Sequence, residues 1–335
     1  MAVDNSIVDP STGDASTGAT STGATSTGAA GGYAWLADLP GELAAQRRVM
    51  SGLLGWSAAT PLVTSLSVGC SLGRGAADAL SDIDAALGLG CEPGPGGAGQ
   101  VLAIEDELVA ALPGFGAVID VLRHRTGPPD RFIRRVFAQF GDGTQLDLAI
   151  MAEPEVRRGA AAPDFVSLYQ AAQPPGLRRP PSRPASPAPG PAGDGHRRAD
   201  AVTADQIREW AFSGWCALAD TAKYLRRGSL WEAHDKLHAA RHQIWALWAA
   251  AEGALYPWHG LSQVLDHDPD RLPPGIEATV AVLDAADLRR AARASAEVLT
   301  AVSGAAARRQ PAGLPDAMAR YVTGLLDEGP APGPP

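Results

Sequence analysis

The chain has 335 residues, 45% of them hydrophobic, and a formal net charge of -9. That length accommodates two modest cores once Pro- and Gly-rich stretches are set aside, and the acidic balance argues against a broad electrostatic grip on nucleic acid. Three cysteines without CxxC spacing, Cys70, Cys91 and Cys216, give neither a disulfide framework nor a thiolate zinc site and fit a reducing compartment.

The opening MAVDNSIVDPSTGDASTG lacks the basic and apolar regions of a secretory signal, and no run reaches membrane-spanning length. A soluble cytoplasmic protein with no membrane partner is expected. Residues 11–28 repeat small polar residues, which bury too little apolar surface to offset ordering entropy, so 1–33 reads as a disordered low-complexity tail. Residues 34–170 mix element types: a helix near 41–55, strands in PLVTSLSV and DIDAALGL, a helix near 100–112, then strands near 116–122, 131–140 and 145–151. Apolar spacing and alternation make this an α+β domain. Asp142-Gly143 is a favoured hairpin turn because both positions tolerate positive φ, so the last two strands are expected to be antiparallel.

Prolines then remove regular backbone pairing over 171–202, which reads as a linker. Residues 203–328 carry helix formers at apolar spacing and read as an all-α helical bundle, with Gly228 ending one helix and Ser229 capping the next. Six of the eight tryptophans fall here, and most are expected in the core. Residues 329–335 read as a frayed tail.

Two strands carry an anomaly. Asp82 and Asp84 are two apart and share a face on an extended strand. Asp147 sits mid-strand in QLDLAIM, where a charge normally disfavours the position. Carboxylates gathered on a half-buried sheet face raise one another's pKa unless a cation compensates, and magnesium does so. Two such ions can activate a hydroxyl and stabilise departing pyrophosphate, which is nucleotidyl transfer. Upstream, Ser71-Leu72-Gly73-Arg74-Gly75 combines a hydroxyl, a flexible backbone and a cation suited to phosphate oxygens.

The stretch CSLGRGAADALSDID, Cys70 to Asp84, resembles the GSLARGTADxxSDID-like signature of the polymerase-beta-like nucleotidyltransferase superfamily. The helical segment looks like the C-terminal domain of aminoglycoside adenylyltransferases. The resemblance implies a small mixed-sheet nucleotidyltransferase domain followed by an all-α bundle. It implies Asp82, Asp84 and Asp147 as metal ligands and catalytic carboxylates, with two Mg2+ ions expected. It further implies Ser71 and Arg74 on phosphate, Lys223 reaching the triphosphate, and ATP or another nucleoside triphosphate as donor. The acceptor would be a hydroxyl of a small molecule, an aminoglycoside-like antibiotic being the named expectation and antibiotic resistance its biological setting. Cys70 stands where the family usually has glycine, which bears on how the phosphate turn is built. The alternatives are a protein- or RNA-modifying enzyme of toxin-antitoxin type and a silent nucleotide-binding regulator.

Other polar groupings receive plainer readings. His234, His238 and His242 recur along one helix face without an HExxH pattern, so a surface or interhelix role is expected over metal ligation. Arg227 and His234 match a toxin-nuclease spacing that chance readily supplies. Glu105-Asp106-Glu107 reads as a solvated first helical turn, and the acids of 266–270 as a solvated loop.

Overall fold

The computed structural model describes residues 28–127, 131–159, 164–172, 202–267 and 270–328. The repetitive tract 1–27, the Pro-rich stretch 173–201, residues 268–269 of the acidic loop and the tail 329–335 lie outside the described residues.

In chain order the first half contains α1 (Ala30–Ala37), α2 (Ala44–Ala59), β1 (Val63–Val68), α3 (Cys70–Gly73), β2 (Ile83–Leu89) and α4 (Ala98–Ala111). It continues with β3 (Val118–Thr126), β4 (Ile133–Phe140), β5 (Gln145–Ala152), α5 (Glu153–Gly159) and β6 (Val166–Gln170). The second half is helical: α6 (Ala204–Arg227), α7 (Leu230–Glu252), α8 (Leu261–His267), α9 (Ala285–Arg309) and α10 (Asp316–Asp327). The fold class is α+β, a mixed sheet followed by a helical region. None of the described helices is long and apolar enough to cross a membrane.

The six described strands form one sheet in the order β3-β4-β5-β2-β1-β6. The β2–β5 pair is parallel and the other neighbours are antiparallel. The β4–β5 hairpin turns through Gly141-Asp142-Gly143-Thr144, with Gly143 at φ +95° and the Asp142 carboxylate accepting from the Thr144 amide at 3.0 Å. The antiparallel expectation for this pair therefore holds. α1 begins within the stretch expected to be tail, and its Gly32 lies so close to the Leu168 carbonyl that a Cβ would stand 2.2 Å from the oxygen.

Alternation gives the sheet two unlike faces. On the back, Ile83, Leu87, Leu146, Leu148, Ile150 and Val136 join Leu53, Leu54, Ile104 and Leu108 of α2 and α4 in a buried core. On the front, Leu122 and Phe137 join the helical core built from α6, α7, α9 and α10. Each fully buried aliphatic side chain contributes roughly 1.5–3 kcal/mol, so both halves are held chiefly by apolar burial and meet across the front face.

α6 starts with a reciprocal capping box between Thr203 and Gln206 and ends at Gly228, whose φ of +72° only glycine adopts cheaply. Ser229 occupies the next N-cap position without a side-chain cap bond, so the capping expectation fails there. Trp215 is core, whereas Trp231 is 76% exposed and Trp258 is also exposed. Helical spacing places a residue on a face but does not say whether another element covers that face. Glu105 is likewise not a solvated first-turn acid. It is buried within α4 and accepts both carboxylate hydrogen bonds from Arg134 Nε at 3.0 Å.

Candidate active site

The site is assembled where the front of the β2–β5 pair meets α6. Parallel register sets Asp84 directly against Asp147. Their neighbours Ile83, Ala85, Leu146 and Leu148 alternate into the back core, which leaves both carboxylates no direction but forward. Asp82 precedes the first residue of β2 rather than lying within it. It is delivered by a polar turn in which the Ser81 hydroxyl donates to Asp78 Oδ1 and the Asp78 amide donates to Ser81 Oγ, each at 3.0 Å. Gln46 of α2 fixes the same turn, donating to the carbonyls of Ala79 at 3.1 Å and Ser81 at 3.0 Å.

The helical half reaches this turn through α6. Lys223 Nζ donates to Asp82 Oδ1 and Oδ2 at 2.9 and 2.7 Å and also pairs with Asp220 at 2.9 Å. Its side chain is only 10% exposed, so it is an interior cation rather than a solvated helix lysine. One turn later Arg227 donates from Nε to Asp78 Oδ2 at 2.9 Å and from Nη2 to Ser81 Oγ at 3.2 Å. That contact absorbs the arginine singled out by its spacing to His234. Asp78, unremarked in the sequence, is the acid that ties the turn to α6, and its carboxyl is held below its usual range first by the Arg227 hydrogen bond.

The three predicted carboxylates have different surroundings. Asp82 is pushed up to about 6, first by burial and then by Asp220 and Asp84, against the opposing effect of Lys223. Lys223 is itself held above its usual value because two carboxylates share it, despite its burial. Asp147 is raised by burial first, with Arg135 and His124 lowering it and Asp84 raising it further. Arg135 Nε and Nη2 donate to Asp147 Oδ1 and Oδ2, both at 2.7 Å. Among the described residues no Lys or Arg pairs with Asp84.

The remaining predicted residues surround the turn after β1. Ser71 lies in α3, and the Gly69 amide donates to the Asp84 carbonyl at 2.9 Å, fastening this turn to the acidic strand. Arg74 Nη1 donates to Asp164 at 2.9 Å from a largely exposed position. Gly73 cannot carry a side chain, since a Cβ would sit 1.7 Å from the Asp164 carbonyl oxygen. Cys70 adopts φ +53° and is the one non-glycine residue at positive φ among the described residues. The substitution thus burdens the backbone conformation itself. Its thiol bonds to Asp84 and is pushed up to about 11, by burial first and by the Asp84 charge next.

Hard oxygen donors suit a divalent magnesium-like cation, and Asp82, Asp84 and Asp147 supply them; burial is the main cause of the Asp82 elevation, with Asp220 and Asp84 adding to it. In this arrangement Lys223 and Arg135 supply the compensation, and among the described residues no three His, Cys, Asp or Glu groups converge as a metal cage. The donor chemistry fits, provided those two cations move aside. His234, His238 and His242 form no such cage either, and the last two are exposed.

No protein-family model matches the sequence, and no curated protein matches it. Among solved structures, the chain is similar to the crystal structure of an aminoglycoside 6-adenyltransferase from Bacillus subtilis. Identity is 13%, the match covers 84% of this chain and 98% of that one, and the TM-score is 0.29. A likeness of that size carries no argument about the chemistry of this chain.

Proposed function

We propose that this protein is a nucleotidyltransferase that moves a nucleoside monophosphate, AMP from ATP, onto a hydroxyl of a small molecule and releases pyrophosphate. The observation that carries the reading is the direct opposition of Asp84 and Asp147 on parallel strands, with Asp82 held over the same face by a turn anchored to α6. Asp82, Asp84 and Asp147 would hold magnesium, which when bound neutralises phosphate charge and increases the acidity of the acceptor hydroxyl.

The chain's own groups supply the rest. Lys223, released from Asp82 as that carboxylate turns to a cation, offers its ammonium to phosphate oxygens. The Ser71 hydroxyl and the turn from Gly69 to Gly75, with Arg74, hold phosphate on the other side. A carboxylate of the trio receives the acceptor's proton. α6 joins the helical half to the acidic turn, so the contact between the two halves and the proposed phosphate binding both draw on Lys223.

Pyrophosphate release from ATP and magnesium in the presence of small hydroxyl acceptors tests the reading, with Asp82→Asn and Asp147→Asn as controls. Each variant is expected to lose on the order of 10³-fold in turnover, the scale of removing one charge-stabilising group. Wild-type turnover in both variants would overturn it. The strained Cys70 favours one second reading, a nucleotide-binding regulator without turnover. ATP binding with no pyrophosphate released from ATP in the presence of any acceptor tried, and with release restored by Cys70→Gly, distinguishes that case.

A further inference from the structure

A cavity of about 290 Å³ lies between the front of the sheet and helices α6 and α7, with Asp147 in its wall. Its apolar side includes Phe137 and Phe212, whose rings meet edge to face with centroids 5.8 Å apart. Its charged groups are Asp147 and Asp220 against Arg135 and Lys236, with the His124 imidazole alongside. Two acids therefore face two cations, and both acids are already engaged. Arg135 holds Asp147 through two 2.7 Å bonds, while Asp220 is shared by Lys223 at 2.9 Å and Lys236 at 3.5 Å.

An ammonium entering this space would lose its hydration and meet no uncompensated carboxylate to offset that loss. The uncharged polar groups are differently placed: Ser213 and Gln243 contribute a hydroxyl and an amide to the same wall. The volume falls at the lower edge of small-molecule pockets, roughly 300–1,000 Å³, enough for a ring and its substituents rather than a large oligosaccharide.

We propose that the acceptor of this site is an uncharged hydroxyl compound with one aromatic or flat apolar face, not the polycation that the family resemblance suggests. The inference rests on the transferase reading. In the transfer, the acceptor O–H bond breaks and its oxygen bonds to the α-phosphorus as the bond to the leaving pyrophosphate breaks; the proton passes to a carboxylate of the trio. Phe137, backed by the fully buried Phe212, receives the apolar face, and Ser213 and Gln243 hydrogen-bond the hydroxyls.

The test is calorimetric titration of the full chain at neutral pH, with ATP and magnesium titrated first. The acceptor probes are phenyl β-D-glucopyranoside, its cationic 6-amino-6-deoxy analogue and kanamycin. The neutral glucoside is expected to bind roughly 10-fold or more tightly than either cationic probe, the cost of an unpaired desolvated charge setting the scale. Lys236→Glu makes the wall net negative and is expected to close or invert that gap. Equal or tighter binding of a cationic probe, no binding of the glucoside, or an unchanged gap in Lys236→Glu overturns the proposal. Failure of ATP–magnesium to bind overturns the transferase reading instead, which separates the two failures.

Discussion

Arg134 and Arg135 are consecutive residues of β4, yet their guanidinium groups serve opposite faces of the sheet. Arg134 points back to Glu105 of α4, a carboxylate with a 2% exposed side chain, inside the apolar layer. Arg135 points forward to Asp147, in a pair that solvent reaches more freely and that borders the cavity. Both arginines engage carboxylates at ion-pair distance, but the back acid is almost fully buried, whereas the front acid lies opposite a second acid, Asp84. The same chemistry therefore sits inside the apolar layer on one face and beside an open cavity on the other, where the proposed function would have Arg135 yield Asp147 to a cation.

The comparison breaks most sharply at the carboxylates themselves. Asp84→Asn is expected to reduce pyrophosphate release on the order of 10³-fold or more while leaving the thermal midpoint near wild type. Comparable turnover would remove the functional distinction between the faces. Glu105→Ala should do the reverse. Leaving the half-buried Arg134 without its partner costs about 1–3 kcal/mol, read as an earlier denaturant midpoint, with activity per folded molecule retained. A loss of activity without loss of stability would place Glu105 in the site after all.

Arg135→Ala sharpens the front half. Burial already raises the Asp147 carboxyl and Arg135 opposes that effect, so removing the guanidinium must raise it further. If deprotonated Asp147 is the active form, the acid limb of the kcat/KM profile moves to higher pH; an unmoved limb would mean Asp147 does not set it.

Asp82→Asn probes the cost of a buried ionised carboxylate through stability. Asp82 titrates near 6 in the fold against an ordinary 3.8. The wild type therefore bears no penalty from this group below about pH 4 and bears all of it above about pH 6. Without metal or nucleotide, the variant should gain about 1 kcal/mol only as pH rises through that window, an amount already discounted for solvent access to the carboxylate. A gain independent of pH would assign the effect elsewhere. The smallest change is expected from Cys70→Gly, which relieves a left-handed conformation and stabilises by up to about 1 kcal/mol, checked by chemical denaturation.

Much of the framework was legible because alternation and turn chemistry are local. The β4–β5 hairpin announces itself in Gly141-Asp142-Gly143-Thr144, and an aspartate between leucines marks Asp147 before any partner is known. α1 and β6 were missed: AGGYAWLA carries two glycines that weaken a helical reading, and VSLYQ is short and pairs with β1 far earlier in the chain. Glu105 was misread because its spacing is that of any helix acid; only Arg134, 29 residues away, makes it an interior group. Asp78 and Arg227 were readable as types, an acid in a turn and a cation at a helix end, but nothing local says that they meet.

The sequence by itself determined most of the element types and the order of sheet before helices, because each follows from side-chain period or backbone preference within a short window. Tertiary structure alone decided that Asp84 faces Asp147, that Lys223 crosses to Asp82, and that the cavity beside them is charge-balanced rather than acidic. Those outcomes depend on register and on which distant cation arrives at each carboxylate, and net charge averages over the pairings that fix a site's local field.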